Sequence, residues 1–128
     1  MFPFRSSRKR QLGLKHPPPY GSIGWVLPNC KGCGRSGRRR GLLDRILSFG
    51  GGFEPCFVRG STTTLSNHSF GSAFDINVAW NERGHRPALV GEKGSVRKLV
   101  PITHKWGFWW GGHFSTPDSM HFEVAVLK

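Results

Sequence analysis

Ser66-Asn67-His68-Ser69-Phe70-Gly71-Ser72-Ala73-Phe74-Asp75 is the stretch on which the reading of this chain turns. It sets one imidazole and one carboxylate seven positions apart, separated by small residues and a glycine. From Ala73 to Val78 the residues alternate, which predicts a strand with Asp75 and Asn77 on one face and Phe74, Ile76 and Val78 on the other. A second stretch, Asp118-Ser119-Met120-His121-Phe122-Glu123, brings another imidazole with carboxylates on either side. His121 to Leu127 alternates again and predicts a final strand with His121 and Glu123 on one face. The expected fold class is α+β. Its core would be a small antiparallel sheet bearing the ligand residues, packed by one or two helices.

The donor types specify the chemistry further. A catalytic zinc takes three protein ligands and leaves a fourth position for water, with imidazole and carboxylate as suitable donors. His68, Asp75 and His121 can supply those ligands. Asp118, in the turn introduced by Pro117, can act as the acid–base that a metal-activated water requires. Each piece alone is weak, because a lone histidine is more often hydrogen-bonded than metal-bound. Among the remaining histidines, His16 and His85 fall in loops without carboxylate partners and His104 on a helix. His113, beside the aromatic-glycine run, is the runner-up ligand.

Around these stretches the composition sets limits. At 128 residues the chain forms one domain with a modest core, and 18 glycines with 9 prolines give loops a large share. No apolar run is long enough to span a membrane. The N-terminus is basic but lacks the apolar segment and cleavage site of an export signal. The formal charge of +12 points to an anionic partner. Its placement speaks against nucleic acid: Arg5, Arg8, Lys9, Arg10, Arg35, Arg38, Arg39 and Arg40 crowd the first 45 residues, and the balance beyond Ser61 is milder. The expected organisation is a basic, Gly/Pro-rich and poorly ordered segment at 1–48, followed by a folded domain at 49–128. Cys30, Cys33 and Cys56 are an odd set, which argues against a disulfide framework. Cys30 and Cys33 form a CxxC, but no second metal-binding pair follows at the usual spacing, so free thiols are the preferred reading.

Taken in order, residues 1–40 show no sustained period, and Pro17-Pro18-Pro19 favours a short extended segment. Residues 41–49 place Leu42, Leu43, Ile46 and Leu47 on one helical face, with Gly50-Gly51-Gly52 ending the helix. Residues 81–94 read as a surface loop. A helix is expected over 95–106, capped by Ser95 and stopped at Gly107, with Pro101 kinking it or shifting its start.

Three ordered motifs then resemble a known family. Ser66-x-His68-x-x-Gly71-x-Ala73-x-Asp75, Trp110-Gly111-Gly112, and Asp118-x-Met120-His121-Phe122-Glu123 are similar to the VanY-type D-alanyl-D-alanine carboxypeptidases, which include phage endolysins cutting L-alanyl-D-glutamate bonds. The resemblance covers about residues 51–128. It implies a hedgehog/DD-peptidase-like fold and a zinc peptidase acting on peptidoglycan stem peptides, in a bacterial envelope or encoded by a phage. It also implies one Zn2+ held by His68, Asp75 and His121, with Asp118 as general base and acid. Ser66, Asn77, Arg59 and Trp110 become candidate substrate contacts. Gly71 and Ala73 would keep the approach to the metal open, and Trp109 and Trp110 would wall the cleft. Anionic wall polymer is the partner implied for the basic segment.

One departure stands out. Relatives carry an arginine where Cys56 stands, and Arg59 is expected on the other face of an extended segment. Loss of one preorganised positive group costs on the order of 100-fold in rate. The rival expectation is therefore a catalytically degenerate, cationic wall- or nucleic-acid-binding protein that retains the zinc site.

Overall fold

The computed structural model describes Cys33 and residues 35–127; the expectations for the triple proline, for Cys30 and for the basic segment before Cys33 lie outside the described residues. A short helix, α1, covers residues 35–39. The sheet is built from β1 (Phe49–Gly51), β2 (Ala73–Ile76), β3 (Phe108–Trp110) and β4 (His121–Val124), and a second helix, α2 (Val100–Lys105), precedes β3. The four strands run in the order β1-β2-β4-β3, every pair antiparallel. The architecture is α+β, with a small antiparallel sheet packed by two helices. No helix among the described residues is long and apolar enough to cross a membrane.

Alternation on the two central strands divides the sheet into an apolar and a polar face. Phe74 pairs with Phe122 across β2 and β4, and their rings stack 5.4 Å apart. Ile76, Phe122 and Trp110 join Val96, Leu99 and Val100 in the core, while Phe108 and Val124 form a second cluster with Phe74 and Trp106. Asp75 and His121, on the opposite face, are direct cross-strand partners, as are Ala73 and Glu123. This register brings an aspartate and a histidine together from residues 46 apart in sequence.

Three expected elements take other forms. Residues 41–49 make only a 3-10 turn at Leu43–Arg45 and then enter β1; Ile46 and Leu47 are exposed. Here the glycines make a strand possible instead of ending a helix. A Cβ at Gly50 would stand 2.6 Å from Val78 Cγ2, just beyond β2, and 3.2 Å from Asp75 Cβ, so glycine there lets β1 lie close against the end of β2. The helix expected from Ser95 begins at Val100, with Pro101 in its first turn, where its missing N–H costs nothing. Gly107, at φ 83°, follows its C-terminal cap as expected.

The third change concerns β2, which ends at Ile76. Asn77 adopts a left-handed conformation (φ 54°), one that asparagine tolerates better than most residues. Its fully buried side chain accepts from the N–H groups of Leu47 (2.8 Å) and Ser48 (3.1 Å) and donates to the carbonyls of Arg45 (2.7 Å) and Gly94 (3.0 Å). Asn77 is thus a bracket joining the lead-in of β1 to the 81–94 loop, and it does not line the cleft that holds His68, Asp75 and His121.

Candidate metal centre

His68 is presented by a 3-10 turn, Asn67–Phe70, that has a defined start and stop. Ser66 caps it, its hydroxyl accepting from His68 N–H at 3.3 Å, and Gly71 closes it at φ 62°. Gly71 is therefore required by the backbone and borders the apolar side of the sheet together with Ala73; neither lines the cleft. The turn is also tied to the preceding loop, because Ser69 Oγ donates to Cys56 O (2.7 Å) and accepts from Cys56 N (2.9 Å).

The cross-strand pair meets this turn. His68 Nε2 lies 3.0 Å from His121 Nδ1 and 3.3 Å from Asp75 Oδ1, and His121 Nδ1 lies 3.1 Å from the same Asp75 oxygen. Donor atoms in a tetrahedral zinc site with arms of about 2.0 Å stand roughly 3.3 Å apart. The observed triangle is within a few tenths of an ångström of that edge. Among the described residues this is the only cluster of three or more such side chains with metal-binding geometry. A two-imidazole, one-carboxylate set fits zinc and leaves a coordination position open.

The charges around the trio favour a cation. Burial works against the Asp75 charge, but hydrogen bonds from His121 and His68 outweigh it and hold the carboxyl far below the usual range. His121 is pushed up to about 9: burial opposes its charge, and hydrogen bonds to Asp75 and Glu123 overcome that opposition. Asp118 moves the other way, raised chiefly by burial, with Asp75 adding to the rise and His121, Arg83 and Arg59 opposing it. Its Oδ1 is buried without a hydrogen-bond partner among the described residues, while Oδ2 sits 3.7 Å from Arg83 Nε.

These groups line one cleft of about 470 Å³, together with Ser66, Cys56, Arg59, Arg83, Phe114 and Glu123. Arg59 was expected to face away from Cys56, yet both border the cleft. Residues 56–66 do not run as one extended segment: Val58 N bonds Thr64 O, and Phe57 bridges Leu65, so the chain folds back on itself there. Trp110 does not reach the cleft. It pairs with Phe122 on the apolar face, is 4% exposed, and donates its indole N–H to Ser119 O at 2.7 Å. Trp109 pairs with Glu123 and so takes the polar side of the sheet. His113 packs its ring 5.1 Å from Trp110, outside the trio, and His85 pairs with Glu82 on the surface.

Sequence reasoning passed over three residues. Glu123 accepts from His121 Nε2 (3.1 Å) and from Asn67 Nδ2 (2.8 Å), and Arg83 reaches in from the 81–94 loop. The signal for Glu123 was its place two residues after His121 on one strand face; for Asn67 and Arg83 there was no local signal.

The family model described as D-alanyl-D-alanine carboxypeptidase, of the peptidase M15 type, matches residues 59–124, a little over half of the chain. No curated protein and no solved structure gives a significant match. The matched span holds the turn, both ligand-bearing strands and Asp118, and the chain belongs to this VanY-like family of zinc peptidases.

Proposed function

We propose that the protein hydrolyses a peptide bond in peptidoglycan stem peptides, using one zinc ion held by His68 Nε2, Asp75 Oδ1 and His121 Nδ1. The observation that carries this reading is the convergence of those three atoms at 3.0–3.3 Å, in a cleft shared with a buried, partly unpartnered aspartate. Bound there, zinc supplies Lewis acidity that lowers the pKa of a water and polarises the scissile carbonyl.

The remaining work falls to side chains of this chain. Asp118 takes the proton of the attacking water and gives it to the departing amine as the C–N bond breaks, leaving a carboxylate and an amine. Its raised basicity, caused chiefly by burial, suits it to that transfer. Arg59 and Arg83 place positive charge along the same wall, where negative charge develops on the substrate oxygen. Ser66 borders the cleft but already accepts from His68 N–H, so its first service is to hold the ligand turn. The exposed arginines of α1, with the basic residues before it, make anionic wall polymer a suitable second partner.

Purified protein should contain about one zinc per chain, and His68→Ala or His121→Ala should lose it. Incubation with stem peptides should release D-alanine or a defined fragment. A chain without zinc overturns the proposal. Zinc without any cleavage favours the degenerate, polymer-binding reading, for which Cys56 in the cleft wall is the supporting observation. Cys56→Arg is then expected to raise activity.

A further inference from the structure

His121 has two ring nitrogens, and a metal can use only one of them here. Nδ1 faces Asp75 and His68, while Nε2 faces Glu123 Oε2 at 3.1 Å. Glu123 Oε2 accepts the Nε2 hydrogen and keeps that nitrogen occupied, so Nδ1, which faces Asp75 and His68, is the nitrogen that can exchange its proton for a metal at the ligand triangle. Glu123 is 3% exposed, and its Oε1 has no hydrogen-bond partner among the described residues. Keeping a carboxylate in such a place is costly for a fold, and apolar packing would be served better by leucine.

A second contact extends the arrangement. The same Oε2 accepts from Asn67 Nδ2 at 2.8 Å, across 56 positions of sequence. Asn67 is the residue before His68, and its backbone carbonyl accepts from Ser72 Oγ (3.0 Å) and Ser72 N (3.1 Å). One carboxylate oxygen therefore joins the turn that presents His68 to the strand that presents His121. Among the described residues, the only other polar contact between a side chain of β4 and that turn is the one between the two imidazoles themselves.

We infer that Glu123 and Asn67 are positioning residues for the metal centre. Glu123 selects the Nδ1-liganding tautomer of His121, and the Asn67–Glu123 bond holds the two histidine-bearing elements at metal-binding distance. The inference rests on the zinc reading above and deepens it. Such outer partners typically contribute 10–100-fold to metal affinity. Glu123→Leu preserves approximate volume and removes the acceptor; it should weaken zinc binding about 10–100-fold in competition with a chromophoric chelator. Glu123→Gln can place its amide oxygen where Oε2 stands, so it should recover most of that loss. Asn67→Ala should weaken zinc binding by a smaller factor while leaving the tautomer unchanged.

The decisive readout uses the wild-type zinc protein. Nitrogen-15 NMR of the histidine rings should show His121 protonated at Nε2 and metal-bound through Nδ1. The opposite tautomer overturns the inference, and so does a folded Glu123→Leu protein with wild-type zinc affinity. Should Glu123→Leu fail to fold, the Glu123→Gln affinity and the wild-type tautomer decide alone. Wild-type protein that binds no zinc defeats the functional reading itself. Wild-type binding with no effect of these variants defeats only the inference.

Discussion

Asp118 carries its charge at a cost to the fold. Burial raises its pKa above the ordinary 3.8, and one of its oxygens is buried without a partner among the described residues. A carboxyl whose folded pKa is raised is harder to ionise in the native state than in the unfolded chain. The penalty is absent below the unfolded value, appears as pH rises through it, and is fully present above the folded value. Two outcomes are expected from Asp118→Asn. Activity should fall by about 10²–10⁴-fold, as for loss of a general acid–base. The melting temperature at neutral pH should rise by roughly 4 °C, since about 1 kcal/mol of buried-charge penalty is removed. The half-exposed contact with Arg83 at 3.7 Å contributes too little to reverse that sign. In the wild type, the acid limb of kcat/KM should lie above the ordinary aspartate value, because the base is lost as pH falls through its raised pKa. A limb at or below 3.8 would contradict the assignment.

Between single residues and the whole fold stand two tight approaches of backbone to backbone. Gly111 sits against the turn that leads into β4: an added Cβ would collide with the Asp118 carbonyl and stand 3.1 Å from His121 Cβ. Gly111→Ala should therefore displace the acid–base and a ligand together. We expect both a lower melting temperature and weaker zinc binding, measured on the same preparation. Unchanged zinc affinity would mean that the turn absorbs the methyl group without moving His121. Asn77 holds the other approach. Asn77→Ala removes two acceptor and two donor contacts of a buried side chain and strands backbone groups of Arg45, Leu47 and Ser48, while the Gly94 carbonyl keeps its bond from Asn81 Nδ2. A loss of about 3 kcal/mol is expected in chemical denaturation. Because Asn77 lies outside the cleft, the folded fraction of this variant should keep wild-type KM.

At the scale of the molecule, metal and proton compete for one site. Although burial opposes its charge, hydrogen bonds to Asp75 and Glu123 push the His121 imidazole up to about 9, from the usual 6.5. A raised imidazole pKa contributes stability that is fully present below 6.5 and is lost as pH rises through about 9. Zinc must displace that proton, so its affinity should increase over the same window. The rise in melting temperature on adding zinc should accordingly be larger at pH 8 than at pH 6. A zinc-induced shift that is equal at both values would show that His121 does not bind in the predicted way.

The identities of the donors and the faces they occupy were legible in the sequence. Alternation over 73–76 and 121–124 put Asp75 and His121 on polar strand faces, and the spacing of three motifs marked the family. Local pattern suffices there because a strand period is a property of neighbouring residues. It failed at Asn77 and at residues 41–49, where a left-handed turn and a glycine-enabled strand depend on partners 17 to 32 positions away. It failed for Trp110 as well, whose place is set by pairing with Phe122 on the apolar face. Register, and the bond that Glu123 makes to Asn67, belong to tertiary structure alone. Only strand pairing could set Asp75 opposite His121, and only closure of the sheet against the 67–70 turn could bring His68 within 3.3 Å of Asp75 and 3.0 Å of His121.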